Sequence, residues 1–404
     1  MKFFEKNIRL FRFLAFAYIV SFTTMFYALS VDGLSLLMLA MMFLSPIFLV
    51  CFFFYFQKDE IPIYGLMVCI LTGSLLHFSS FRLSTVAYAL CFLTCFITYK
   101  RVLCTGCLNK FSYLRLIRQL ILAYFIVLVM QQMMTIAGLP VFNQCWKFPN
   151  PFKLNSLAHE PSFIGGSLIV LFYSYIKIYE SILGKEINLS QFCRKNKLLC
   201  ISFVYVCLTC LSTWSLLGML VMGIYLFRKK KLGLIVLSVI CLLLMFSLNL
   251  ESMNLESVTR LLNIIPAILT FDTDMIRSVD LSAAARINPV LFYIQDFNLR
   301  SIDTWFGLGV DYSNTHTIAR LLGNYDSMEQ GNATGGLFPA FFLDYGLISG
   351  LMFLLCLKKF AVKKFISFPF AIWLLFFMPM MFNTYMTWLF FMVMYATNYY
   401  TNCS

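Results

Sequence analysis

The chain has 404 residues, of which 61% are hydrophobic and only 12% are charged. A soluble domain usually has about a quarter charged residues, so this composition excludes an ordinary water-soluble fold. The apolar residues form runs long enough to cross a bilayer core as helices, and the alternating pattern of a membrane β-barrel is absent. The sequence therefore predicts an all-α integral membrane protein.

About twelve transmembrane helices are predicted. They cover residues 10–30, 34–56, 61–80, 83–99, 116–138, 161–179, 198–212, 215–227, 232–250, 336–357, 366–381 and 384–400. The run 198–227 is interrupted at 212–215, so it is predicted as two short helices, with one long tilted helix as the alternative. Helices 1–9 form a membrane bundle at 1–250, a large extracytoplasmic loop covers 251–335, and helices 10–12 cover 336–404. A shorter extracytoplasmic segment covers 139–160.

Basic residues decide the orientation of these helices. On the twelve-helix topology, 23 of the 31 Lys and Arg residues fall in segments on one side. Because cytoplasmic segments are enriched in Lys and Arg, both termini are predicted to be cytoplasmic. A single helix over 198–227 would place the basic run 228–231 outside, which the same rule disfavours. The net charge of +13 is thereby explained by topology, and no nucleic-acid partner is expected.

No metal or cofactor is expected. Cys104-x-x-Cys107 has no second cysteine pair near it, and most of the fourteen cysteines lie in predicted helices or cytoplasmic segments. A disulfide framework is therefore not predicted. His77 and His316 are isolated in the sequence and are expected to be structural.

A carboxylate stands at the outer mouth of the sixth predicted helix, in Ala158-His159-Glu160-Pro161. Proline is favoured at the first helical position, which places Glu160 at the helix start, beside the positive end of the helix dipole. A carboxylate at the hydrocarbon boundary can serve as a general base. The alternative is an acidic cap that fixes where the helix enters the membrane, and the residues alone support both equally.

The large loop is rich in charge but has no lysine. It holds five arginines and ten acids, with Arg286 two residues before a predicted helix that has Asn288 as its cap and Pro289 as its first residue. The guanidinium group binds phosphate through two parallel hydrogen bonds, and free N–H groups at a helix start also attract anions. Arg286 and Arg277 are therefore predicted to bind a phosphate or diphosphate, with pairing to nearby acids such as Asp274 as the alternative.

Asp344 lies about eight residues inside the tenth predicted helix. A lone acid in a membrane helix costs roughly 3 kcal/mol on insertion scales and usually faces a cavity or a partner. Asp344 is therefore predicted to hold an arginine of the loop in a structural role, with substrate binding as the alternative. Upstream of it, Gly307-x-Gly309 predicts a tight turn.

These motifs resemble a known family. The run Ala158-His159-Glu160-Pro161-Ser162-Phe163 is similar to the Glu-Pro-Ser segment of Wzy-type polysaccharide (O-antigen) polymerases. Arg286, Trp305-Phe-Gly307-Leu-Gly309 and Asp344-Tyr-Gly346 follow the later pattern of that family. A dozen helices and a dominant late periplasmic loop match as well.

O-antigen ligases share the later pattern, but they usually carry His-Asn about eleven residues before the glycine that matches Gly346. Here Gly335-Gly336 stands at that position. The resemblance therefore favours a polymerase, with a ligase or a lipid-linked oligosaccharide transporter (flippase) as alternatives.

The resemblance implies a glycosyltransferase on the periplasmic side of a bacterial inner membrane. It would join undecaprenyl-diphosphate-linked oligosaccharides by moving the growing chain from its lipid diphosphate to a sugar hydroxyl of a new unit, without a metal. Partners would be these oligosaccharides, membrane lipid, and a chain-length regulator and flippase. The expected base is Glu160 with His159, and the residues expected at the diphosphate are Arg286, Arg277 and Arg260. Residues expected to bind sugar or to be structural are Trp305, Tyr312, Tyr293, Asn332 and Asp344.

Overall fold

The computed structural model describes residues 7–25, 35–77, 82–145, 150–210, 212–228, 270, 272–279, 281–313 and 336–402. These residues form an all-α fold without a strand, as predicted. The first nine helices are α1 Ile8–Thr23, α2 Leu36–Phe53, α3 Ile61–Leu76, α4 Leu83–Cys104, α5 Lys110–Ile136, α6 Pro161–Leu183, α7 Leu189–Lys195, α8 Lys197–Thr209 and α9 Thr213–Phe227. The later helices are α10 Thr273–Val279, α11 Leu281–Asp296, α12 Ile302–Phe306, α13 Leu337–Cys356, α14 Phe368–Ile372 and α15 Tyr385–Asn402. Short π-helical turns continue α13 through Leu357–Val362 and α14 through Trp373–Phe377.

Six of the described helices are long and apolar enough to cross a membrane. They are Leu36–Phe53, Lys58–Leu76, Leu83–Cys104, Lys110–Ile136, Pro161–Leu183 and Leu337–Val362. Lys197–Thr209, Trp214–Phe227 and Phe368–Phe377 are shorter apolar helices. The predicted interruption of 198–227 is present, since α8 ends at Thr209 and α9 begins at Thr213. The predicted helix 232–250 lies outside the described residues.

Local sequence accounts for where several helices begin and end. Ser35 caps α2 by accepting a hydrogen bond from the backbone N of Met38, and Asn109 caps α5 in the same way. Pro161 is the first residue of α6, where its missing N–H costs nothing, as the sequence predicted. The helix ends at Gly184, whose φ of 63° is the left-handed conformation that glycine adopts readily.

The core of the bundle is built around α15 and α6. Trp388 of α15 is 2% exposed and packs against Phe92, Phe96 and Phe391. Helices α6 and α9 approach each other closely at Gly165, where an added Cβ would lie 2.7 Å from the Cα of Ser215. Small residues at such contacts let membrane helices approach closely, which is the main source of packing energy in lipid.

The bundle has two distinct ends. At one end the Tyr400 hydroxyl donates to the Leu108 carbonyl, Ser181 donates to the Tyr400 carbonyl, and Arg12 donates to the Cys107 carbonyl. We call this the basic end, since it carries most of the described basic residues. These are Arg9, Arg12, Lys58, Lys100, Arg101, Lys110, Arg115, Arg118, Lys177, Lys185, Arg194, Lys195, Lys197, Arg228, Lys358, Lys359, Lys363 and Lys364.

The opposite, distal end carries α10–α12 and the first turns of α6, α13 and α15. Here Leu337 donates its backbone N–H to the Met378 carbonyl, and the N–H of Met25 donates to the Leu157 carbonyl. Charge is therefore segregated along the bundle axis in the described residues, with Glu160 and Asp344 on the distal side.

One local prediction is wrong. Asn288 and Pro289 do not begin a helix, because α11 already starts at Leu281 and contains Pro289 in its interior. Alanine has the highest helix propensity of any residue type, so the run Ala283–Ala285 extends the helix upstream. Arg286 therefore lies within α11, not in front of a helix start, and the argument from free N–H groups at that start no longer applies to it.

Candidate functional site

Residues 154–160 form a non-helical segment enclosed by the bundle. Leu154, Ser156 and Ala158 are fully buried, and Asn155 is 2% exposed. Non-helical backbone within a membrane bundle is tolerated only where protein or a water-filled cavity satisfies its polar groups. This segment is therefore a candidate functional site.

Side chains of α5 supply the polar partners of this segment. The backbone N–H of Ser156 donates to Oε1 of Gln131 over 2.8 Å, and the Ser156 hydroxyl donates to the Tyr124 carbonyl over 2.7 Å. Ser156 thus lies between the levels of residues 124 and 131, which is about 8 to 18 Å along the helix below Ile136 at 1.5 Å per residue. The segment reaches well into the bundle from the distal end.

A second loop closes over the segment. Asn143 donates its amide to the Ser156 carbonyl over 2.9 Å, and Asn155 donates its amide to the carbonyl of Asn143 over 2.9 Å. Asn143 and Ser156 both have positive φ angles, 54° and 49°. Backbone held in this sparsely populated region costs about 1–3 kcal/mol per residue and is found most often at functional sites.

The segment delivers Glu160 to the start of α6. Glu160 is half-buried, and its Oε2 accepts a hydrogen bond from the Ser162 hydroxyl over 3.0 Å. Its side chain makes no capping bond to the N–H groups of α6. The capping alternative is therefore not realised through a hydrogen bond, and the carboxylate stays at the mouth of the helix beside its positive dipole end.

His159 is held more deeply than Glu160. It is 5% exposed, its ring lies 6.4 Å from that of Phe163, and its backbone N–H donates to the Tyr385 hydroxyl over 3.4 Å. The contact with Tyr385 ties the start of α6 to the start of α15. Of the two predicted base residues, Glu160 is therefore the more accessible to a substrate.

Asp344 holds the end of the described loop. Its two carboxylate oxygens accept hydrogen bonds from the backbone N–H of Ser313 over 2.7 Å and from the Ser313 hydroxyl over 3.1 Å. Among the residues that the structure describes, no ion pair joins Asp344 to an arginine. The described partner of Asp344 is therefore Ser313, and its pairing with a loop arginine remains a prediction.

Two further contacts fasten residues 303–313 to the bundle. Arg82 donates to Oδ2 of Asp311 over 2.9 Å, and Nε2 of His77 lies 3.4 Å from Oδ1 of Asp303. His77 is thus a structural histidine, as predicted. We call residues 303–313 the anchored segment.

The anchored segment also closes a break in α13. Gly346 has a φ of 78°, and an added Cβ would lie 2.4 Å from the backbone N of Gly307. The N–H groups of Leu308 and Gly309 donate to the carbonyls of Leu343 and Asp344, in the turn just before the break. The predicted turn at Gly307 and Gly309 is present, with φ angles of 88° and 106°.

The three aromatic residues predicted to bind sugar or to be structural have different surroundings. Tyr293 packs edge-on against Phe338 and Phe342, and burial raises its pKa. Trp305 is 37% exposed and donates its indole N–H to the Leu299 carbonyl over 2.9 Å, while Tyr312 is half-buried. Tyr293 therefore belongs to an aromatic cluster, and Trp305 remains partly exposed.

The side chains of the arginines predicted to bind the diphosphate are not among the described parts of the structure. Arg277 lies in α10 and Arg286 in α11, and the placement of their side chains is not described. Arg260, Asn332 and His316 lie outside the described residues. Their predicted roles remain predictions.

A buried ionic cluster at the basic end was missed at the sequence level. Glu60 is fully buried, and it accepts hydrogen bonds from Lys100 over 2.9 Å and from Arg101 over 3.1 Å. Lys100 is 1% exposed and Arg101 is 2% exposed. The sequence predicts a helix that ends at residue 99 and places both residues in a cytoplasmic segment, whereas α4 continues to Cys104. The two acidic residues of the short segment 57–60, Asp59 and Glu60, were the sequence signal for this cluster.

No family model, curated protein or solved structure matches this chain.

Proposed function

We propose that this chain is a glycosyltransferase of the polysaccharide polymerase type, acting on undecaprenyl-diphosphate-linked oligosaccharides at the distal end of the bundle. The growing chain would leave its lipid diphosphate, and its anomeric carbon would bond to a sugar hydroxyl of a new unit. The leaving diphosphate takes the electron pair of the broken bond, and Glu160 takes the proton of the hydroxyl.

The observation that carries this proposal is the buried segment 154–160. It places a carboxylate at the start of a long apolar helix, fixed in position by Gln131, Tyr124 and Tyr385. Rigid placement of a base against a bound hydroxyl is where enzymes gain much of their rate. The same residues carry the resemblance to the polymerase family.

The orientation that the proposal requires agrees with the charge distribution. Arg12 at the start of the chain and Tyr400 near its end both contact the turn at residues 107–108 of the basic end. Since basic residues favour the cytoplasmic side, both termini would be cytoplasmic and Glu160 periplasmic. The twelve-helix topology, the inner-membrane location and the large periplasmic loop belong to this proposal.

A transporter is the rival from another functional class, because transporters often bind substrate where a membrane helix is broken. The break in α13 at Gly346 is the feature that would favour it. The anchored segment lies in that break, and its backbone donates to the carbonyls of Leu343 and Asp344. A site occupied in this way by the protein's own chain favours the enzyme.

Product formation by the purified protein tests the proposal. The full chain in detergent would be incubated with a lipid-diphosphate-linked repeat unit from the organism that carries it, and products would be separated on a gel. We expect a ladder from the natural protein, and its loss in Glu160→Gln and in Arg286→Ala. Removal of a general base lowers rates by about 10²- to 10⁴-fold, which would eliminate visible polymer.

Two matched variants separate catalysis from general damage. Glu186→Gln removes an acid at the basic end, and Arg300→Ala removes an exposed arginine of the same loop as Arg286; both should keep the ladder. A ladder that survives Glu160→Gln removes Glu160 as the base. If folded protein forms no ladder from authentic substrate, the polymerase proposal fails.

A further inference from the structure

The acids at the basic end are already neutralised by the protein itself. Lys100 and Arg101 pair with Glu60, and Lys100 also pairs with Asp59. Glu180 pairs with Lys177 at 2.6 Å, and Glu186 pairs with Arg228 at 3.5 Å. These are the acidic residues that the structure describes at this end, so its remaining cations have no resident counter-charge among the described carboxylates.

A group of these cations lies around Asn196, on α5, α7 and α8. Asn196 joins α7 to α8, and its Oδ1 accepts a hydrogen bond from the Tyr175 hydroxyl over 2.8 Å. The guanidinium of Arg118 in α5 interacts electrostatically with the same hydroxyl. We call the group the basic corner; its members are all exposed, and they are Arg118, Arg194, Lys195 and Lys197.

The corner is held on a fixed framework. Phe192 of α7 is 2% exposed, and its ring lies 6.3 Å from Phe172, 6.1 Å from Tyr175 and 5.6 Å from Tyr179. This aromatic anchor fixes the short helix that carries Arg194 and Lys195. Arg194 and Lys195 therefore belong to an anchored helix and not to a free loop.

An apolar stripe continues directly from the corner along α8. Its residues are Leu198 at 50% exposed, Ile201 at 49% and Val204 at 42%. Residues three apart on a helix lie near the same face, so the stripe extends from Lys197 along the outer surface of α8, away from the basic end. Cations above an exposed apolar surface match the two parts of a phospholipid, whereas a soluble anion would use only the cations.

We propose that the basic corner binds the phosphate of an anionic phospholipid, with the acyl chains lying on the apolar stripe of α8. This goes beyond the proposed polymerase activity and does not depend on it. Basic residues near an anionic membrane surface attract anionic lipid, so binding should be selective for anionic over zwitterionic lipid by about tenfold or more.

Native mass spectrometry of the full chain in detergent tests this. Phosphatidylglycerol and phosphatidylcholine with the same acyl chains would be titrated in parallel. The test variant carries Arg118→Gln, Arg194→Gln, Lys195→Gln and Lys197→Gln. The control variant removes the same number of exposed charges from other places at the basic end, through Lys58→Gln, Lys185→Gln, Lys358→Gln and Lys364→Gln.

We expect the natural protein and the control variant to prefer phosphatidylglycerol by about tenfold, and the test variant to lose that preference. Equal loss in the control would mean diffuse net charge and would overturn the proposal. The proposal would also be overturned if inorganic phosphate or chain-free glycerophosphoglycerol, at the same concentration as the lipid, displaced phosphatidylglycerol. A soluble anion would then bind the corner as well as the lipid does.

A smaller variant protects the test against misfolding. Arg194→Gln with Lys195→Gln changes only exposed side chains of α7 and leaves Phe192 in place. It should lower the preference for phosphatidylglycerol several-fold with an unchanged size-exclusion profile. Full preference in this variant would overturn the assignment to the corner.

Discussion

At the scale of single residues, the site depends on polar groups that satisfy one another inside the bundle. Ser156 has its N–H, hydroxyl and carbonyl paired with Gln131, Tyr124 and Asn143. In a low-dielectric interior, each unpaired polar group would be costly, so this network holds the segment in one conformation. Glu160 inherits its position from that network.

Removing one partner should therefore destabilise the segment. We expect Gln131→Ala to lower stability by about 1–3 kcal/mol, because it leaves the buried Ser156 N–H without an acceptor. Thermal unfolding of the purified protein in detergent measures this, and polymer formation should fall with it. Gln132→Ala is the matched control, since its partner is the half-buried Tyr205 hydroxyl and its loss should cost less. Equal shifts for the two variants would contradict the role of the network.

Residue patterns predicted part of this site for physical reasons. Proline at a helix start is a local preference, so Pro161 placed Glu160 correctly from sequence alone. The same preference failed at Asn288 and Pro289, because the alanine run before them favours helix more strongly. The partners of Ser156 lie in other elements, and no local pattern connects them to it.

At the scale of elements, α3 and α4 are joined at the basic end by the cluster around Glu60. Arg101 also donates to the Phe53 carbonyl and to the Tyr64 hydroxyl over 2.7 Å, so it links α2, α3 and α4. Lys100 donates to Gln57 over 2.8 Å. The positive and negative charges balance, and each has hydrogen-bond partners, as burial of ions requires.

Breaking this cluster should be far more damaging than breaking an exposed pair. We expect Glu60→Gln to destabilise the protein by about 3–5 kcal/mol, because Arg101 would remain buried without its counter-charge. Glu186→Gln, which disrupts a partly exposed pair with Arg228, should cost at most about 1 kcal/mol. Thermal unfolding of both variants in one detergent gives the comparison. Similar melting temperatures would show that the Glu60 cluster is not needed for stability.

The sequence predicted helix boundaries least well where charged residues lie inside a helix. Lys100 and Arg101 read as loop residues because charges in lipid are costly, yet α4 contains both. Glu60, which lies just before α3, supplies the negative charge that pairs with both of them. The interruption between α8 and α9 was predicted correctly because polar Ser212 to Ser215 divides an otherwise apolar run.

At the scale of the whole molecule, charge asymmetry is the property that sequence predicts best, because orientation depends on summed Lys and Arg rather than on exact boundaries. The structure adds an independent constraint. α1 begins and α15 ends at the basic end, since Arg12 contacts Cys107 and Tyr400 contacts Leu108. The chain must therefore cross the bundle an even number of times between these points, whatever the number of helices.

Reporter fusions test this arrangement. Green fluorescent protein joined after Asn402 should fluoresce in bacteria, because it folds to its fluorescent form in the cytoplasm. Alkaline phosphatase joined after Arg300 should be active, since it requires the periplasm, and the same enzyme joined after Glu186 should be inactive. The Glu186 fusion is the negative control and lies between α6 and α7 at the basic end, and an immunoblot of both fusions checks their expression. An inactive fusion at Arg300 beside an active one at Glu186 would invert the topology, place Glu160 on the cytoplasmic side and remove the setting that a periplasmic polymerase requires.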